Sequence, residues 1–219
     1  MARISLFFCF FLLFSCQYFD LKTAHSAFEL GDYERAILLY NKILDSDPEQ
    51  SDARYGLALS RFFVQKSKMN YQLDSAHLQK NWVEVLNEFN ILKQQKSSPQ
   101  VLSMLSMCEY ELGNLELKNK NYAQAVFFFE KAVENDSLNI PAIYARSGLY
   151  DAAGYTDKAI EFLNKIIKLD DRQVPAFIDL GQIYLENKNS KMARQIWEQG
   201  LKSNPKNEEL MWLISELNP

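Results

Sequence analysis

The chain predicts an all-α fold, an α-solenoid of about five stacked helical hairpins closed by a C-terminal helix, and three observations lead there. Ala125, Ala159 and Ala193 stand 34 residues apart, and each is followed four residues later by a bulky apolar side chain, Phe129, Leu163 and Trp197. Self-similarity at that period marks stacked helix pairs, each too small to bury its apolar face without its neighbours. Only 7 Gly and 6 Pro occur in 219 residues, too few for flexible linkers, and 47% hydrophobic residues suffice for one core.

The units follow in order. Gly31, Tyr33, Ala36, Tyr40, Ile43 and Pro48 set out the second half of a first unit over 17–50, ending on Asp47-Pro48, where proline cannot continue the helix. Val85 takes the alanine position 49 residues after Ala36, between Trp82 and Phe89, so the second unit spans 51–98 and carries 15 extra residues at 65–79. Ala125 follows Val85 by 40, which puts 6 further residues around Lys93 to Gln100 and a third unit over 99–139. The spacing then settles, with units at 140–173 and 174–207. In the tail over 208–219, Leu210, Met211, Leu213, Ile214 and Leu217 form an apolar face fit to cap the fifth unit. Antiparallel helices approach closely only where one side chain is small, so Ala36, Ala125, Ala159, Ala193 and Gly181 mark the expected crossings. Gly31-Asp32-Tyr33 and Lys120-Asn121-Tyr122 are the turn signals between the two helices of a unit.

Phe177, Leu180, Gly181, Tyr184, Ala193, Trp197 and Pro205 stand in the order and intervals of a tetratricopeptide repeat, and the chain resembles that family. The resemblance covers about 190 residues. It implies a right-handed α-solenoid, a single domain over 16–219, no catalysis, and a concave surface that binds a peptide or partner protein. The family lines that surface from the first helix of each unit, at its second, fifth, ninth, twelfth and thirteenth positions. By position this gives Leu21, His25 and Phe28, then Tyr55, Leu59, Phe62 and Phe63, then Tyr110, Asn114 and Leu117. Tyr144 and Asp151 follow from the fourth unit, and Ile178, Gln182 and Leu185 from the fifth. A groove of this composition is aromatic and weakly charged, suited to an apolar peptide, a partner helix or an elongated apolar ligand. Its fifth positions, Leu21, Tyr55, Tyr110, Tyr144 and Ile178, lack the cations with which the family captures C-terminal carboxylates. The alternative is that Phe62, Phe63 and part of the tyrosine row pack under the 65–79 insertion and close the groove.

The first fifteen residues carry a separate message. Arg3 precedes an apolar run from Ile4 to Phe14, broken only by Ser5, too short to span a bilayer and fit for the core of a signal peptide at 1–15. Leu13-Phe14-Ser15-Cys16 then resembles a bacterial lipobox, departing from it at Phe14, which implies a lipid (palmitate) anchor on Cys16. The other reading is an ordinary secretory signal cut near Ser15, leaving Cys16 a free thiol. Cys108, alone among Met104, Leu105 and Met107, reads as a small core residue, so an exported chain has no disulfide to form.

Reactive chemistry is sparse. His25 and His77 lie far apart with no ligand-spaced partner, so no metal site assembles, and the single scattered glycines cradle no phosphate. Loss of the first fifteen residues takes the net charge from −4 to −5, and Lys66, Lys68, Lys118 and Lys120 read as solvated helix ends, so no nucleic acid is expected. The expectation is a non-enzyme with no cofactor or metal. It is a scaffold that is lipid-anchored at a bacterial envelope membrane, on the periplasmic face or cell surface, with envelope proteins as partners. A ligand-binding lipoprotein that presents a small apolar molecule to a transporter is the alternative, and it requires an enclosed cavity beside Tyr55, Phe63 and Tyr110.

Overall fold

A computed structural model describes residues 20–68 and 75–217, and their regular structure is all helix, with no strand among them. The signal peptide, Cys16, residues 69–74 of the insertion, and Asn218 and Pro219 lie outside the described residues. The chain divides into two compact units, one ending at Leu115 and the other beginning at Glu116. The boundary falls inside a helix.

The first unit begins with α1 over 20–29 and α2 (Tyr33–Ser46), continues with α3 (Ser51–Lys68) and α4 (Ser75–Gln95), and takes in most of α5 (Pro99–Lys118). Its first hairpin packs Ala24, Ala27, Ala36, Tyr40 and Ile43 against Ala53 and Leu57. Gly56 lets α3 approach this hairpin, since a Cβ there would lie 2.2 Å from the Tyr40 ring. Trp82, Val85 and Phe89 of α4 are 1%, 1% and 0% exposed, as their place in the repeat pattern predicts.

The described extra residues of the second and third repeats become helix. Residues 65–68 continue α3 and 75–79 begin α4, giving helices of 18 and 21 residues against 13 and 14 in the fourth repeat. The second excess, expected around Lys93 to Gln100, lies instead inside α5, which has 20 residues against 13 for the first helix of the fourth repeat, because α4 ends at Gln95 and α5 already begins at Pro99. Turn composition, with no Gly or Pro from Val64 to Lys80, favours helix extension over a covering loop.

The second unit runs from the end of α5 through α6 (Tyr122–Asn135), α7 (Ile140–Ala152), α8 (Thr156–Leu169), α9 (Val174–Glu186), α10 (Ser190–Ser203) and α11 (Glu208–Glu216). One core joins Ile143, Ala159, Leu163, Ile166, Phe177, Leu180, Ala193, Trp197 and Leu210, and Leu213 and Ile214 of α11 pack on it with Leu217 just past the helix end. Met211 does not join this face and is 43% exposed. At the crossing of α9 and α10, a Cβ on Gly181 would sit 2.0 Å from Trp197 Nε1, which donates to the Ile178 carbonyl at 3.2 Å.

The turn between paired helices is the same device four times. The amide after a left-handed residue reaches back five residues: Asp32 to Ala27, Asn121 to Glu116, Tyr155 to Tyr150 and Asn189 to Tyr184, at 3.0, 2.8, 2.8 and 2.8 Å. Gly31 and Gly154 supply the left-handed residue at φ 76° and 80°, while Lys120 and Lys188 adopt it at 62° and 59°. Asp32, Asn139, Asn189 and Asn207 then cap the next helix by accepting from the amide three residues on.

Candidate functional site

In the second unit the first-helix positions of the fourth and fifth repeats converge on one small cleft. Ser147, Gly148 and Asp151 of α7, Leu163 of α8, and Asp179, Gln182, Ile183 and Glu186 of α9 line about 90 Å³ of it. Three carboxylates and no cation are among them. Gly148 has nothing within 4 Å of where its Cβ would be, which keeps the floor open. The Tyr144 hydroxyl donates to Asp179 Oδ2 at 2.5 Å, and Gln182 Nε2 donates to Glu186 Oε1 at 3.0 Å. The Asp151 carboxyl is raised from its ordinary value, first by burial and then by the charges of Glu186 and Asp179. Burial and the Asp179 carboxylate likewise push the Tyr144 phenol well up.

This corrects the expected character of the groove. Where the residue types suggested an aromatic, weakly charged wall, the fourth and fifth repeats present acid. Tyr144 does not stand free as a rung: it packs on the core and is bonded to α9. Ile178 and Leu185 are half-buried on the same core, and Gln182 remains exposed. Asp179 and Glu186 were missed as lining residues. Glu186 stands at the thirteenth family position and Asp151 at the twelfth, so their shared sign was a signal in the sequence, whereas Asp179 lies at a sixth position that the family pattern does not assign to the groove.

The first unit separates its assigned residues. Phe62 is 2% exposed and meets Trp82 edge-on at 5.3 Å, so it belongs to the α3–α4 interior and does not line a groove. The reason is the longer hairpin, whose α4 brings Trp82 opposite this turn of α3. Phe63 is 38% exposed and stacks on Tyr33 at 5.2 Å, with Phe28 tilted beside it at 5.9 Å. These contacts come from the first hairpin. Tyr55 meets Phe89 edge-on at 6.1 Å, and burial raises its phenol. Beside it lies an open depression of about 320 Å³ whose rim is Ser51, Asp52, Lys96, Ser98 and Gln100, with Leu92 and Val101. Leu59, Tyr110, Asn114 and Leu117 are half-buried, the last of these belonging to the second unit, and His25 is exposed against Tyr40.

Cys108 is fully buried, and its surroundings, then Glu109 and Glu111, raise its thiol, which suits a core residue and not a nucleophile. Lys66 and Lys68 pair with Glu111 and Glu34.

A family model described as tetratricopeptide repeat matches residues 21–66, and a second with the same description matches 110–137, 140–173 and 174–207. Protein CTR9 homolog of Arabidopsis thaliana is 33% identical over 97 residues, 42% of this chain and 9% of its own. Hsp70-Hsp90 organizing protein 3 of the same plant is 25% identical over 202 residues, 84% of this chain and 36% of its own, so this chain spans about a third or less of these relatives. Among solved structures, MamA superposes with a TM-score of 0.57 at 20% identity over 87% of this chain and 92% of that one. YrrB does so at 0.54 and 18%, over 90% of each. At such identities the likeness concerns the fold. With family models matching more than half of its residues at the register read from its alanines, the chain belongs to the tetratricopeptide-repeat family.

Proposed function

We propose that this chain is a non-catalytic protein-interaction scaffold, held at a bacterial envelope membrane by lipid on Cys16, whose fourth and fifth repeats take a positively charged segment of a partner protein. The carrying observation is the convergence of Asp151, Asp179 and Glu186 on one cleft at first-helix positions. Their like charges repel one another, and a lysine or arginine between them relieves that repulsion. The same field disfavours capture of a C-terminal carboxylate. YrrB is titled a TPR protein with an unusual peptide-binding site, and the Hsp70-Hsp90 organizing proteins are named for assembling partners, which supports a binding role. The transporter-feeding alternative needs an enclosed apolar cavity. It is weakened by the open, polar rim beside Tyr55 and by the use of Phe63 in a ring stack.

The test is crosslinking of the full-length protein in membranes, followed by identification of its partners. Asp151→Lys with Glu186→Lys is expected to remove a crosslinked partner that Gln124→Ala with Lys165→Ala retains. The reverse pattern moves binding off this face. Separately, Cys16→Ser is expected to leave the detergent phase, and an intact mass showing an uncut Met1 ends the anchoring claim.

A further inference from the structure

Asp179, Gln182 and Glu186 follow one another at intervals of three and four on α9, so they form one stripe, and its two carboxylates stand two turns apart, about 10 Å along the axis. Asp151 faces this stripe from α7, and the charges of both Glu186 and Asp179 reach it. Acid is thus spread along the cleft and not gathered at a point. Among the described residues no three His, Cys, Asp or Glu are grouped so as to hold a metal ion, and a compact divalent cation has no cage here. The lining has two side-chain donors, and each has a partner within the protein: Ser147 Oγ donates to the Tyr144 carbonyl at 2.7 Å and Gln182 Nε2 to Glu186 Oε1 at 3.0 Å. Asp179 Oδ2 takes the Tyr144 hydroxyl. Acceptors are left over. Both oxygens of Asp151, Asp179 Oδ1, Glu186 Oε2 and Gln182 Oε1 have no donor among the described residues.

We propose, on the footing that this cleft takes a cation of a partner protein, that the cation is the guanidinium of an arginine in preference to the ammonium of a lysine. An ammonium carries its three donors on one nitrogen, so it joins acceptors no farther apart than about 6 Å, twice the length of one hydrogen bond. A guanidinium spreads five donors over three nitrogens in one plane and meets a carboxylate on each of two edges. That reach matches Asp151 on one wall and the stripe of α9 on the other. Leu163 and Ile183, both buried, give the arginine stem an apolar side to lie on. Gly148 has nothing within 4 Å of where a Cβ would stand, which leaves the flat head group room against the backbone of α7.

The probes are N-acetyl-arginine N-methylamide and its lysine and citrulline counterparts, the last keeping the shape of arginine without its charge. Each is titrated into the full-length nitrogen-15-labelled protein in detergent micelles while the backbone amide signals of Gly148 and Gln182 are followed. The arginine compound is expected to shift both signals saturably and to bind about fivefold or more tighter than the lysine compound. The citrulline compound is expected to leave them in place. Asp151→Asn and Glu186→Gln are each expected to weaken arginine binding by about fivefold or more, while Lys168→Ala leaves it unchanged. Amide signals that keep their positions away from the cleft show that the variants are folded. Equal affinity for arginine and lysine, lost together in Asp151→Asn, overturns the preference and leaves the cleft a cation site. No shift from either compound removes the cation site itself. Saturation by citrulline equal to that by arginine, or an arginine preference that survives both variants, overturns the assignment to these carboxylates.

Discussion

Replacing Gly181 with alanine tests the close approach on which the fifth hairpin depends. The new Cβ would lie 2.0 Å from Trp197 Nε1 and 2.5 Å from Cε2. The indole is 1% exposed and its Nε1 donates to Ile178 O at 3.2 Å, so it cannot withdraw without breaking that bond and opening the core. Overpacking of this kind costs about 1–3 kcal/mol, and the lost hydrogen bond about 1 kcal/mol more. Against this stands a helix-propensity gain of about 1 kcal/mol for removing a mid-helix glycine. The expected net is a loss of about 1–3 kcal/mol. Gly148→Ala is the matched control, since its Cβ meets nothing within 4 Å on α7 and only the propensity gain of about 0.5–1 kcal/mol remains. Urea unfolding followed by circular dichroism and tryptophan emission measures both. Two variants of the same sign, or a neutral Gly181→Ala, would refute the packing argument, because the two sites differ only in what stands opposite.

Asp151 has its carboxyl raised, so the folded chain holds that proton more readily than the unfolded one, and the charged form costs stability at neutral pH. Asp151→Asn is therefore expected to raise the unfolding midpoint at neutral pH, with the gain fading as pH falls through the raised value towards the ordinary carboxylate value and absent below it; a constant gain counts against the electrostatic cause. Tyr144→Phe removes the donor to Asp179 and is expected to cost about 1–2 kcal/mol in urea melts. Cys108 should react with a thiol reagent slowly in the native protein and rapidly in denaturant, and fast native reaction would contradict its burial.

The register of the hairpins was legible in the chain because it is written locally. A small residue must sit where two helices cross, and Ala36, Ala125, Ala159 and Ala193 are each 0% exposed. The turns were legible for the same reason at Gly31, but not at Lys188, where a residue without glycine's freedom adopts the left-handed conformation because the packed helices on either side require it. Three features needed the tertiary structure. The 49-residue spacing from Ala36 to Val85 measured the excess of the second repeat but left open whether it would loop or lengthen helices. The choice of helix brought Trp82 onto Phe62 and took Phe62 out of the groove. The sign of the cleft came from Asp179 meeting Asp151 and Glu186 across two helices, whereas family positions are counted along one helix at a time. A sequence specifies which faces must be apolar through its period, but which polar side chains become neighbours depends on how one hairpin is set against the next, and only the packed structure decides that.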